Sequence, residues 1–96
     1  MIEGRVLFVN TSCQLAAADI GGGRALVFEL PADAQIDIGD RLERLVSRYQ
    51  KVKTNCLNAT KHNEIHIQVL ASPMPVGVAR FVVEPGCLEG NLSKVA

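Results

Sequence analysis

Turn-forming residues cut this chain into short pieces, and that spacing limits what it can fold into. Asn10-Thr11-Ser12, Gly21-Gly22-Gly23, Pro31, Gly39-Asp40, Pro73 with Pro75, and Pro85-Gly86 fall between apolar runs. Proline cannot donate to a strand ladder, and glycine reaches positive φ without strain, so both types end strands or turn them back. Several short runs bounded in this way predict a small all-β barrel rather than a helical bundle. No run approaches the ~18 apolar residues that a membrane span requires.

The runs differ in how clearly they declare themselves. Residues 64–70 alternate: Ile65, Ile67 and Val69 are predicted to face the core, and His66 and Gln68 to face away. Residues 4–10 and 24–30 are rich in β-branched and aromatic types and predict two strands, the second ended by Pro31. Residues 13–20 are short, apolar and alanine-rich, and fit either helix or strand. The segment from Pro31 to Ala34 is predicted to be loop, and Gly39-Asp40 a turn. Residues 41–50 are open as well. Leu42, Leu45, Val46 and Tyr49 follow helical spacing behind an Asp40–Glu43 capping box, but a strand launched by the turn, with a second one through Val52 and Thr54, competes. Val76 to Val83 is predicted to be a further strand, and residues 87–96 to fray.

At 96 residues the chain has the length of one domain, and its 48% hydrophobic content suffices for a core. Formal net charge is zero but unevenly spread. Residues 1–40 carry a net −4. Residues 41–61 carry Arg41, Arg44, Arg48, Lys51, Lys53 and Lys61 against Glu43 alone, a net +5. A neutral total argues against strong sequence-independent binding of nucleic acid, while the local excess leaves a localised anionic partner open.

Three cysteines, Cys13, Cys56 and Cys87, show no Cys-x-x-Cys spacing and are expected to be small buried apolar residues. His62 and His66 are four apart. On a strand that separation is about 13 Å, too far for one zinc, so no metal site is expected. No phosphate-binding loop, Gly-x-Ser-x-Gly or His-Glu-x-x-His occurs, so no enzyme, catalytic residue, cofactor or small-molecule substrate is expected. The first residues do not build a signal peptide, so a soluble, cytoplasmic protein is expected.

The order of these pieces resembles a cold-shock or OB-type barrel. Gly4-Arg5-Val6-Leu7-Phe8-Val9-Asn10 is similar to the opening strand of cold-shock domains. Ala16 to Ile20, Val27-Phe28-Glu29-Leu30 and Ile38-Gly39-Asp40 stand where that family has its second strand, its third strand and the turn before its fourth. The chain is also similar to a group of small bacterial proteins with a VFEL segment, an IxxGD turn and an xNxT segment before a final IQ strand, here residues 27–30, 36–40, 57–60 and Ile67-Gln68. The resemblance implies a five- to six-stranded barrel over residues 1–72, with a short helix allowed and residues 41–50 tipped toward strand. It leaves residues 73–96 as an extra strand and tail, packed on the same domain or at an oligomer interface. It also implies stacking positions at Phe8 and Phe28. The family's second-strand phenylalanines are replaced by Ala17 and Asp19, however, and its third-strand histidine by Leu30. Losing three stacking groups at about 1 kcal/mol each weakens single-strand binding more than a hundredfold.

Two kinds of partner follow. The first is protein: another chain or a second copy in a homodimer, with Leu30, Val76, Val78, Phe81 and Val83 as interface residues. The alternative is weak, salt-sensitive binding of single-stranded nucleic acid through Arg41, Arg44, Arg48, Tyr49, Lys51 and Lys53, with Phe8 and Phe28 as further stacking groups.

Overall fold

Strand pairing begins where the sequence places it. In this computed structural model, which describes residues 2–84, β1 spans Ile2–Asn10, β2 Leu15–Gly21 and β3 Arg24–Glu29. They form an antiparallel meander. Its second turn uses Gly22 and Gly23 at φ of 66° and 73°, a region costly for side chains with a Cβ. Alanines 16 and 18, Leu26 and Phe28 point into the barrel, whereas Ala17, Ala25 and Val27 point out. All seven are buried, so both faces of this part of the sheet are covered. Two-sided burial produces an unbroken apolar run and explains why residues 13–20 showed no alternation.

Strands β4 (Arg41–Leu45), β5 (Thr54–Asn58) and β6 (Asn63–Val69) form a second meander. Pairing of β1 with β4 and of β3 with β6 closes a ring in the order β1-β2-β3-β6-β5-β4. The short β7 (Met74–Pro75) then adds to the start of β3. The protein is therefore mostly β: a closed six-stranded antiparallel barrel with one extra strand and one short helix, compatible with an OB- or cold-shock-like fold. On β6 the alternation reads as predicted, with Ile65, Ile67 and Val69 in the interior cluster.

The open segment at 41–50 resolves into strand β4 followed by a loop over residues 46–53. Leu42 and Leu45 both enter the interior although residues three apart on a regular strand face opposite sides. A β-bulge reconciles them: the β1–β4 register shifts between Ile2 and Gly4, and Arg44 adopts φ 62°. The i, i+3 spacing that suggests a helix is here the signature of a bulged strand.

Residues 76–83 correct an expectation. They form helix α1 (Val76–Val83), not a strand, and the sixth barrel strand is β5 instead. Ala79 and Val83 are fully buried against Ala17, Ala25 and Val27 on the outer face of β2 and β3. Small side chains on both surfaces let the helix sit close. Two contacts anchor its ends. The Val76 N–H donates to the Gly23 carbonyl at 3.0 Å. Asn10 Nδ2 donates to the Val83 and Glu84 carbonyls at 3.0 and 3.1 Å, satisfying acceptors that a helix end leaves open. Valine-rich composition favoured strand locally, and burial of one helical stripe on an apolar sheet face overrode it. The predicted fraying of 87–96 lies outside the described residues.

Candidate binding surfaces

The surface that the resemblance marks for stacking is not open. Phe28 is fully buried inside the barrel, and Leu30, proposed for an interface, joins the same interior cluster. Phe8 is half-buried and packs with the outer cluster beneath α1, beside Ala17. The outer face of β1–β3 is thus covered by α1; Phe28 offers no ring to solvent, and Phe8 keeps only part of its ring exposed.

The basic segment separates into two groups. Arg41 pairs with Glu43 at 3.2 Å and Arg44 with Glu64 at 3.5 Å, while Lys61 pairs with Asp37 at 2.9 Å and Asp40 at 3.1 Å. Arg48, Lys51 and Lys53 have no carboxylate within ion-pair distance among the described residues, and all three are exposed on the 46–53 loop. Tyr49 and Val52 stand exposed between them, at 52% and 66%. The middle of the loop is held in place. The Gln50 N–H donates to the Val69 carbonyl at 3.0 Å, and Gln68 Nε2 donates to the Gln50 carbonyl at 3.2 Å.

Around Asp40 lies a dense polar cluster that ties the turn before β4 to the β5–β6 turn. The carboxylate is 4% exposed and accepts from Asn58 Nδ2 and the Asp37 N–H, each at 2.9 Å. Burial alone raises its pKa. The hydrogen bonds from Asn58, the Asp37 backbone and Lys61, with the charge of Lys61, outweigh burial and hold it below the usual 3.8. Lys61 is raised in turn by its bonds to Asp37 and Asp40. Next to it, Thr60 Oγ1 accepts from the Arg41 N–H at 2.9 Å. The IxxGD and xNxT words, far apart in sequence, therefore meet here through Asp40, Asn58 and Thr60. Their role is to join the turn before β4 to the β5–β6 turn.

The helix presents the main apolar surface. Phe81 is 76% exposed, Val78 49% and Val82 36%. A groove of about 670 Å³ runs beside them, lined among the described residues by Gly77, Arg80, Phe81 and Glu84. Of the remaining interface candidates, Val76 is half-buried and Val83 is fully buried beneath the helix. Sequence reading did not single out Val82, which the helix places on the exposed side with Val78 and Phe81.

Cys56 is free and buried, and burial pushes its thiol up to about 11 against a smaller opposing pull from Arg44, so little thiolate forms at neutral pH. Cys13, on the turn after β1, is disulfide-bonded and only half-buried, which corrects the expectation of a small buried apolar residue there. No Cys-x-x-Cys spacing announced that bond, and disulfides persist best in oxidising compartments. Among the described residues, no three His, Cys, Asp or Glu side chains converge as metal ligands, and no helix is long and apolar enough to cross a membrane. No protein-family model matches the chain, and no curated protein or solved structure is significantly similar to it.

Proposed function

We propose that the chain is a non-enzymatic binding module that associates with a second copy of itself through the outer face of α1. The observation that carries this reading is Phe81, three-quarters exposed on a helix whose other face is fully packed. Large exposed apolar side chains grouped in one patch mark interaction sites more often than isolated ones do. The charges beside the patch are self-complementary. Arg80 and Glu84 pair within the helix at 2.8 Å. In an antiparallel, two-fold pairing of two helices, Arg80 of each copy faces the Glu84 end of the other. Phe81 of each then enters the groove at Gly77. Two-fold dimers are the commonest closed assembly. The mass of the protein at concentrations from about 1 to about 200 µM, in the range of transient dimers, tests this. A concentration-dependent dimer that Phe81→Glu converts to monomer is expected. A wild-type monomer across that range overturns the reading.

A second reading rests on a different observation, the 46–53 loop. Its three cations, without an ion-pair partner among the described residues, stand around an exposed tyrosine, the combination of charge and ring that sequence-tolerant single-strand binders use. Binding of a labelled oligonucleotide is expected to weaken with salt and to be lost when Arg48, Lys51 and Lys53 are all changed to glutamine. An unchanged affinity in that triple variant sinks the loop assignment.

A further inference from the structure

The barrel closes across an incomplete seam. β3 meets β6 at only two residue pairs, Phe28 with Val69 and Glu29 with Gln68. The chain then leaves β3 at Leu30 and Pro31. From Asn63 to Ile67, β6 has β5 on one edge and, among the described residues, no strand on the other. No turn or loop backbone in the described residues hydrogen-bonds to Glu64, Ile65, His66 or Ile67. Alternate N–H and C=O groups of a strand point to each side, so this edge presents main-chain donors and acceptors that no backbone among the described residues satisfies.

A cleft of about 330 Å³ lies against that edge, between residues 63–66 and the loop carrying Pro31, Asp33, Ala34 and Gln35. Side chains of a strand alternate between faces, so four consecutive residues line one cleft only along the strand's edge. Asn63, one of the four, has its Oδ1 buried with no hydrogen-bond partner. Such atoms are rare in folded proteins and call for an acceptor's partner. The charge balance is acidic: Glu64 is engaged by Arg44, and Asp33 is exposed with no ion-pair partner among the described residues.

We propose that this seam binds an extended peptide of another protein, which adds as a strand along the β6 edge and places a Lys or Arg side chain at Asp33. Main-chain bonds supply the affinity in this mode, and pockets for alternate side chains supply the preference. Pro31, which has no N–H, keeps the loop from pairing with β6 and so leaves the edge available. Outward-facing Glu64 and His66 guard the edge against indiscriminate pairing, as charged and polar groups do on other open edges. The site is separate from α1 and does not depend on self-association there.

The test is a titration of the full chain, followed residue by residue by NMR, with a capped hexapeptide alternating lysine and valine. Saturable shifts confined to residues 31–36 and 63–67 are expected. Methylating the amides of every second peptide residue blocks one edge of the peptide. One of the two possible methylated versions is therefore expected to bind at least about tenfold more weakly, the loss of one or two main-chain bonds. Asp33→Lys, an exposed change, is expected to weaken binding about fivefold with the melting temperature unchanged. Absence of saturable shifts, shifts centred elsewhere, or equal binding of both methylated peptides overturns the proposal. Shifts of residues 63–67 on simple dilution of the protein also overturn it, because they make a second copy the occupant.

Discussion

A carboxylate with 4% of its surface exposed must find partners or give up its charge, and Asp40 finds three. Its pKa is held below 3.8, so the unfolded chain binds this proton more readily than the folded one. The stabilisation is complete above 3.8 and is lost as pH falls through the lower, folded value. Lys61 has the opposite sign: raised above 10.5, it contributes fully below that value and loses its contribution as pH rises through its folded pKa. Asp40→Asn is expected to cost about 1–3 kcal/mol at neutral pH, because it removes a buried charge whose donors remain. It is also expected to flatten the acid limb of stability. Urea unfolding of both proteins, from neutral pH to below 3.8, checks this; parallel acid limbs would exclude Asp40 as their source. The sequence marked Gly39-Asp40 as a turn and Asn58 as part of a recurring word. That the two residues bond each other depends on the barrel bringing β4 beside β5.

At the scale of elements, α1 is held at its end by one side chain. Asn10 donates to the last two described carbonyls of the helix region and accepts from the Cys13 N–H at 3.3 Å. Asn10→Ala leaves these groups to find other partners and is expected to destabilise the protein by about 1–2 kcal/mol. Amide exchange is expected to speed up in α1 more than in β5 and β6, since only the helix loses an anchor. Equal protection in α1 with and without Asn10 argues against an anchoring role. The elements also differ in how legible they were. β6 has one face inside and one outside, so its period of two is plain. β4 carries a bulge at Arg44 that mimics helical spacing, and β2 is buried on both faces and shows no period. α1 is valine-rich, and its helical stripe of Val76, Ala79 and Val83 has meaning only against the alanines it covers.

For the whole molecule, two apolar clusters share β2 and β3, one inside the barrel and one between the sheet and α1. That arrangement buries Phe28 and packs Phe8 partly beneath the helix, and the candidate surfaces are α1, the 46–53 loop and the β3–β6 seam. By itself the sequence determined the strand-and-turn rhythm, the all-β class, the position of the hairpin glycines and the inward face of β6. Each of these follows from local sterics or from a period visible within one segment. Only the tertiary structure decided that residues 76–83 form a helix and that β5 completes the ring. It likewise decided which cations form ion pairs and which aromatics are buried. Those outcomes depend on what lies across from each residue, and the segments that meet there, Asp40 with Asn58 or Ala17 with Ala79, are distant in the chain.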